Sequence, residues 1–74
     1  MTLGTLFKSQ QARIVELPTD LLITRQLLEQ GFIPNAVVTL AHKAPFRGPM
    51  AFSLNGTKIC LQRNIANLIQ VEPI

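Results

Sequence analysis

Few residues of this sequence could do chemistry, and they stand apart. His42 is the only histidine and Cys60 the only cysteine. A catalytic imidazole needs a nucleophile or an orienting acid within reach, and a zinc site takes three or four ligands, mostly His or Cys. The acids that could complete either set, Glu16, Asp20, Glu29 and Glu72, are widely separated along the chain. Even if His42 and Cys60 met across a sheet, two ligands would leave an incomplete site. Both are therefore expected to be ordinary strand residues, and no catalytic residue, metal ligand or cofactor is assigned. A lone cysteine also excludes an internal disulfide and fits a reducing compartment.

The segment from Ala44 to Pro49 invites a different use. It contains one glycine, Gly48, and no GxxxxGK[ST] pattern. Pro45 and Pro49 have no N–H to offer, so the segment is not expected to cradle phosphate. Its prolines instead hold a shape in which Phe46 and Arg47 are displayed, an aromatic and arginine pair of the kind enriched at contacts between proteins. The alternative has Phe46 tucked over the end of the fold and Arg47 in solvent. A second pair, Arg25 and Glu29, stands four apart in a helical pattern and points outward together. Arg25, Glu29, Phe46 and Arg47 are the candidate partner-binding residues.

Composition points the same way. Of 74 residues, 47% are hydrophobic and 15% charged, against about 25% charged in an average soluble domain. So thinly charged a surface is expected to be completed by a partner or by self-association into a homo-oligomer. The net charge of +3 comes from scattered Lys and Arg with no basic run or interleaved aromatics, so no nucleic-acid partner is expected. No stretch reaches the roughly 17 to 20 apolar residues that span a bilayer, and the N-terminus lacks a signal-peptide pattern. A cytoplasmic protein without direct membrane insertion is expected. Residues 1–74 read as a single domain with room for one core, which argues against an elaborate enzyme.

The elements that must carry these residues are short. Ala12 to Leu17 has strand character, with Ile14 on one face and Val15 and Leu17 on the other, and Pro18 ends it. Thr19 and Asp20 can cap a helix over Leu21 to Gln30. Ile23 and Leu27 are four apart, and Leu21 and Leu28 are placed near the same stripe, which is expected to be buried against the sheet. Gly31 stops the helix in a left-handed conformation, with Phe32 or Ile33 folding back onto it.

Pro34-Asn35 is a turn before a strand over Val37 to His42, with Val38, Leu40 and His42 on one face. Met50, Phe52 and Leu54 alternate with Ala51 and Ser53. Asn55-Gly56 then predicts a two-residue hairpin turn into Thr57 to Leu61. Asn64 is expected to cap a helical turn through Ile65, Ala66 and Asn67, and Leu68 to Val71 to return as the closing strand. Five short strands leave open edges unless the sheet curls on itself. The predicted fold is mainly β: a small SH3-like barrel of about five strands, with a helix inserted after the first strand and a short helical turn before the last.

The succession Arg25-x-Leu27-Leu28-x-x-Gly31-Phe32-x-Pro34, Val38, Ala44-Pro45-x-x-Gly48-Pro49, Gly56, Leu61-x-Arg63-x-x-Ala66 and Ile69-x-Val71 resembles the FeoA family over roughly residues 3 to 72. The resemblance implies an SH3-like barrel that acts as a non-enzymatic accessory or regulatory protein in bacterial ferrous iron uptake. Its implied partner is the FeoB permease, or that permease's cytoplasmic nucleotide-binding G domain. The family commonly has glycine near Ser9 and in the turn following Pro34, where this chain has Asn35; Asn35 can still adopt the required backbone, whereas Ser9 suggests a different first turn. Gln62 and Ile65 stand where it often has an arginine and an acid. The rival is a stand-alone SH3-like adaptor or self-associating module with another protein target. Polyproline recognition would call for a groove lined by Tyr and Trp, which this chain lacks.

Overall fold

The computed structural model describes residues 1–74. A 3₁₀ turn over Leu3–Thr5 leads into β1 (Gln11–Glu16), α1 (Leu21–Gln30), β2 (Val37–Lys43), β3 (Met50–Leu54), β4 (Thr57–Leu61), α2 (Arg63–Ala66) and β5 (Gln70–Pro73). The strands form one antiparallel sheet in the order β4-β3-β2-β1-β5. This is the mainly β, SH3-like arrangement read from the sequence, with the helix after the first strand and the helical turn before the last.

Local chemistry explains most of the boundaries. Asn55 and Gly56 hold φ of 52° and 79°, the positive pair of a type I′ turn, and set β3 against β4 in the register Leu54 to Thr57 through Met50 to Leu61. An Asp20 side-chain oxygen caps α1 by accepting from the N–H groups of Leu22 and Ile23 at 2.9 and 3.1 Å. Gly31, at φ 103°, ends the helix, and the Phe32 N–H donates to the Leu27 carbonyl at 2.9 Å. That reversal drives Phe32 into the core, where its ring meets Phe52 edge-on at 6.4 Å between centroids. Fully burying a side chain of this size stabilises by about 1.5–3 kcal/mol. Ile33, by contrast, stays exposed.

Two edges remain when such a sheet curls, and they are treated differently. Met1 to Leu3 run along β5: the Val71 N–H donates to the Met1 carbonyl at 2.8 Å and the Leu3 N–H to the Ile69 carbonyl at 3.1 Å. Leu3 and Leu6, three apart, are both fully buried beneath this segment. The edge of β4 away from β3 has no partner strand. Ser9 takes φ 70° and donates its N–H to the Leu40 carbonyl at 2.7 Å, so a serine fills the left-handed position at this turn. Asn35, at φ 74°, does the same in its own turn.

The structure corrects several expectations. Along α1 only Leu27 is buried, with Ile23 half-buried; Leu21, Leu22 and Leu28 face outward. At 3.6 residues per turn, Leu21 and Leu28 lie more than roughly 100° around the helix from the line through Ile23 and Leu27. They form a second apolar stripe and do not belong to the first. His42 does not share the inward face of Val38 and Leu40, because the register shifts between Leu40 and His42 and brings His42 opposite Ala51 on the outer face. Gln62, not Asn64, is the N-cap of α2, and its carbonyl accepts from the Ile65 and Ala66 N–H groups at 3.1 and 3.0 Å. Asn64 lies inside the first turn, where its side chain cannot cap. β5 begins at Gln70, since Leu68 and Ile69 are still held in the turn by N–H bonds to Ile65 and Ala66.

Candidate partner-binding surface

The loop between β2 and β3 is built to project. The Ala44 N–H donates to the Pro49 carbonyl and the Gly48 N–H to the Pro45 carbonyl, each at 3.1 Å, which closes a tight turn with Phe46 and Arg47 at its tip. Both tip residues hold positive φ, 57° and 59°. For residues with a Cβ this conformation costs about 1 kcal/mol or more each. Gly48 keeps the base of the turn tight, since an added Cβ would stand 2.8 Å from the Ala44 Cβ and 3.1 Å from the Pro45 carbonyl oxygen. Phe46 is 100% exposed, so the alternative in which it tucks over the fold does not hold.

A second patch lies on α1. Leu21 and Leu22 are 83% and 76% exposed, and Leu28 stands beside them. Around the helix Arg25 and Glu29 fall between Leu21 and Leu22, and they pair at 3.7 Å. Both partners are largely solvated, so the pair contributes at most about 0.5 kcal/mol and serves to order the surface more than to hold the helix. The four candidate residues thus occupy two patches, with Arg25 and Glu29 on the helix and Phe46 and Arg47 on the loop. No hydrogen bond or ion pair joins them.

Sequence reasoning missed two depressions. One, of about 720 Å³, lies between the end of β1, the start of α1 and the turn before β5; Val15, Leu17, Ile23 and Leu68 line it, with Glu16 and Asp20 also in its wall. The other, of about 620 Å³, is lined by Gly4, Arg47, Gln62, Arg63, Asn64 and Asn67, none of them hydrophobic. Arg47 and Arg63 are sixteen positions apart in sequence. The N-terminal turn packs on α2 so closely that a Cβ at Gly4 would collide with the Asn67 side-chain oxygen, and Lys43, at the base of the Phe46 loop, reaches the Gly4 carbonyl at 3.5 Å, so both arginines border the same turn. The sequence marks Arg63 within Leu61-x-Arg63-x-x-Ala66 but carries no signal that joins it to Arg47 or Gly4.

His42 and Cys60 are both exposed and flank Ala51 on neighbouring strands. Two strand spacings, roughly 10 Å, separate their backbones. No three His, Cys, Asp or Glu side chains stand close enough to hold a metal ion. No helix is long and apolar enough to cross a membrane.

A curled antiparallel sheet with one projecting turn and one leucine-faced helix defines a small domain whose distinctive side chains are displayed on its surface. The chain belongs to the FeoA family: the model of the FeoA domain matches residues 1–73. It is 31% identical over 74 residues to the Fe(2+) transport protein A/Fe(2+) transporter FeoB fusion protein of Porphyromonas gingivalis, covering 100% of this chain and 9% of that protein. The solution structure of iron(II) transport protein A from Clostridium thermocellum matches with a TM-score of 0.94 and 28% identity, over 100% of this chain and 46% of the other. The solution structure of FeoA protein from Chlorobium tepidum shares the fold with a TM-score of 0.92 at 24% identity, over 100% of this chain and 70% of the other.

Proposed function

We propose that this chain is a non-enzymatic accessory or regulatory protein of bacterial ferrous iron uptake, acting at the cytoplasmic face by binding a FeoB-type permease or its nucleotide-binding domain. The observation that carries this is the relative in which a whole-length match to this chain is joined to a FeoB transporter in one polypeptide. Fusion holds two modules at high effective concentration, which is useful when the separate modules must associate. The surface suits that role: a fully exposed Phe46 on a pre-shaped turn loses little entropy on docking, and the outward leucines of α1 offer apolar area beside a charged pair. Binding there shifts the permease toward whichever nucleotide state this chain binds better, without chemistry from this chain.

The test is the affinity of the chain for the full-length permease, measured for the parent and for Phe46→Ala, Arg47→Ala and Arg25→Ala variants shown to remain folded. Loss of Phe46 as a central anchor is expected to cost about 2 kcal/mol or more, roughly a thirtyfold weaker Kd. Unchanged affinity in all three variants would overturn the surface, and no binding by the parent would overturn the partner.

One observation favours a second reading, self-association: the outer edge of β4 is unpaired. Sedimentation over a wide concentration range tests it, and a monomer throughout removes it.

A further inference from the structure

The polar cleft between the Phe46–Arg47 turn and α2 has a charge arrangement that the fold alone does not explain. The chain has four arginines, Arg13, Arg25, Arg47 and Arg63. Arg13 pairs with Glu72 and Arg25 with Glu29, while Arg47 and Arg63 have no ion-pair partner and line this one cleft together. No acid lines it. A third positive charge sits at its rim, where the Lys43 ammonium lies 3.5 Å from the carbonyl oxygen of Gly4, itself a wall residue. Like charges gathered without a counter-ion repel one another, and nothing within the chain offsets that repulsion.

Arg63 carries a second anomaly. Its Nε is shielded from solvent and has no hydrogen-bond partner, the one side-chain nitrogen or oxygen in the protein left so. Buried donors are rarely left unmet, so this nitrogen requires either a water or an acceptor brought by a partner that reorients the guanidinium. The remaining wall is made of amide side chains, Gln62, Asn64 and Asn67, which can donate to oxygens that the guanidiniums do not reach. The backbone around the cleft is preformed, with Gly4 seated tightly against Asn67 and the Arg47 backbone set by the positive-φ turn.

We infer that this cleft is a carboxylate-binding site, which receives an acidic side chain of the same protein that docks on Phe46. This rests on the reading of the Phe46 loop as a docking surface. A guanidinium fork matches the two coplanar oxygens of a carboxylate. Phe46, next to Arg47 and fully exposed, needs an apolar receptor. A protein segment supplies the receptor and the carboxylate together, and a free inorganic anion supplies only the charge.

The experiment is an NMR titration of the ¹⁵N-labelled chain with N-acetylglutamate amide, with inorganic phosphate in a parallel arm and sodium chloride at matched ionic strength as the control. It follows the Nε–H resonances of all four arginines, with Arg13 and Arg25 as internal references. The expected result is a saturable shift of Arg47 and Arg63 with the carboxylate probe, and an apparent Kd at least tenfold weaker in Arg47→Gln, a substitution at an exposed position. Saturation by phosphate without saturation by the carboxylate would overturn the ligand class. Shifts equal to those with chloride would overturn the site. Because no permease is present, a saturable carboxylate site beside a failed permease interaction would uphold the cleft while overturning the proposed partner.

Discussion

Exchanging Phe46-Arg47 for Asn-Gly is expected to stabilise the fold while removing the proposed docking surface. Both residues hold positive φ, at 57° and 59°, in a turn closed by the hydrogen bond from the Gly48 N–H to the Pro45 carbonyl. Relief of the left-handed backbone at two positions returns about 2 kcal/mol. Asn retains part of that cost and Gly adds unfolded-state entropy, together about 1 kcal/mol in the other direction. Phe46 is fully exposed, so its removal forfeits no packing within the chain. The net gain of about 1 kcal/mol corresponds to a Tm about 4–8 °C higher for a domain of this size. Urea and thermal denaturation measure it, and affinity for the permease on the same sample should fall by about 2 kcal/mol or more. A lower Tm in the exchanged variant would refute the claim that the turn holds its tip residues at a cost.

Three further outcomes follow from the same geometry. Leu27→Ala is expected to cost about 2–5 kcal/mol of stability, whereas Leu21→Ala should stay within about 0.5 kcal/mol, since one side chain is buried and the other is not; chemical denaturation separates them. Gly56→Ala meets no atom within 4 Å and should cost only the positive-φ strain of about 1 kcal/mol. Gly31→Ala should cost more, because the added Cβ also comes within 3.3 Å of Leu54 at the helix terminus, and the same denaturation series ranks the two.

How much of this could be read from the sequence depended on how local its cause was. Asn55-Gly56, Gly31 and the alternation of Met50, Phe52 and Leu54 act within a few residues, and each lies where its chemistry requires. Leu21 and Leu28 were legible too, since at 3.6 residues per turn their positions already stand apart from the line through Ile23 and Leu27, and only spacing, not apolar identity, separates the two stripes. His42 was misplaced by a register shift that arises from pairing β2 with β3, a cause outside its own strand. The FeoA-like succession of residues located Arg63, Gly48 and Pro49 in order along the chain. It could not show that Arg63 and Arg47 share a cleft, because that depends on the N-terminal turn at Leu3–Thr5, which no capping side chain announces. The projecting turn was the most readable part of the candidate surface, since Pro45, Gly48 and Pro49 constrain it locally.

The central claim, that the Phe46 turn is the face presented to a FeoB-type permease, is tested most directly by photo-crosslinking in cells. A photoreactive phenylalanine analogue would replace Phe46 in one strain and Thr57 in another. Thr57 begins β4 just beyond the Asn55-Gly56 turn, at the far end of β3 from the Phe46 loop, a strand length of roughly 17 Å away. The account predicts capture of the permease from position 46 and little or none from position 57. Capture from position 57 with none from position 46 would contradict it.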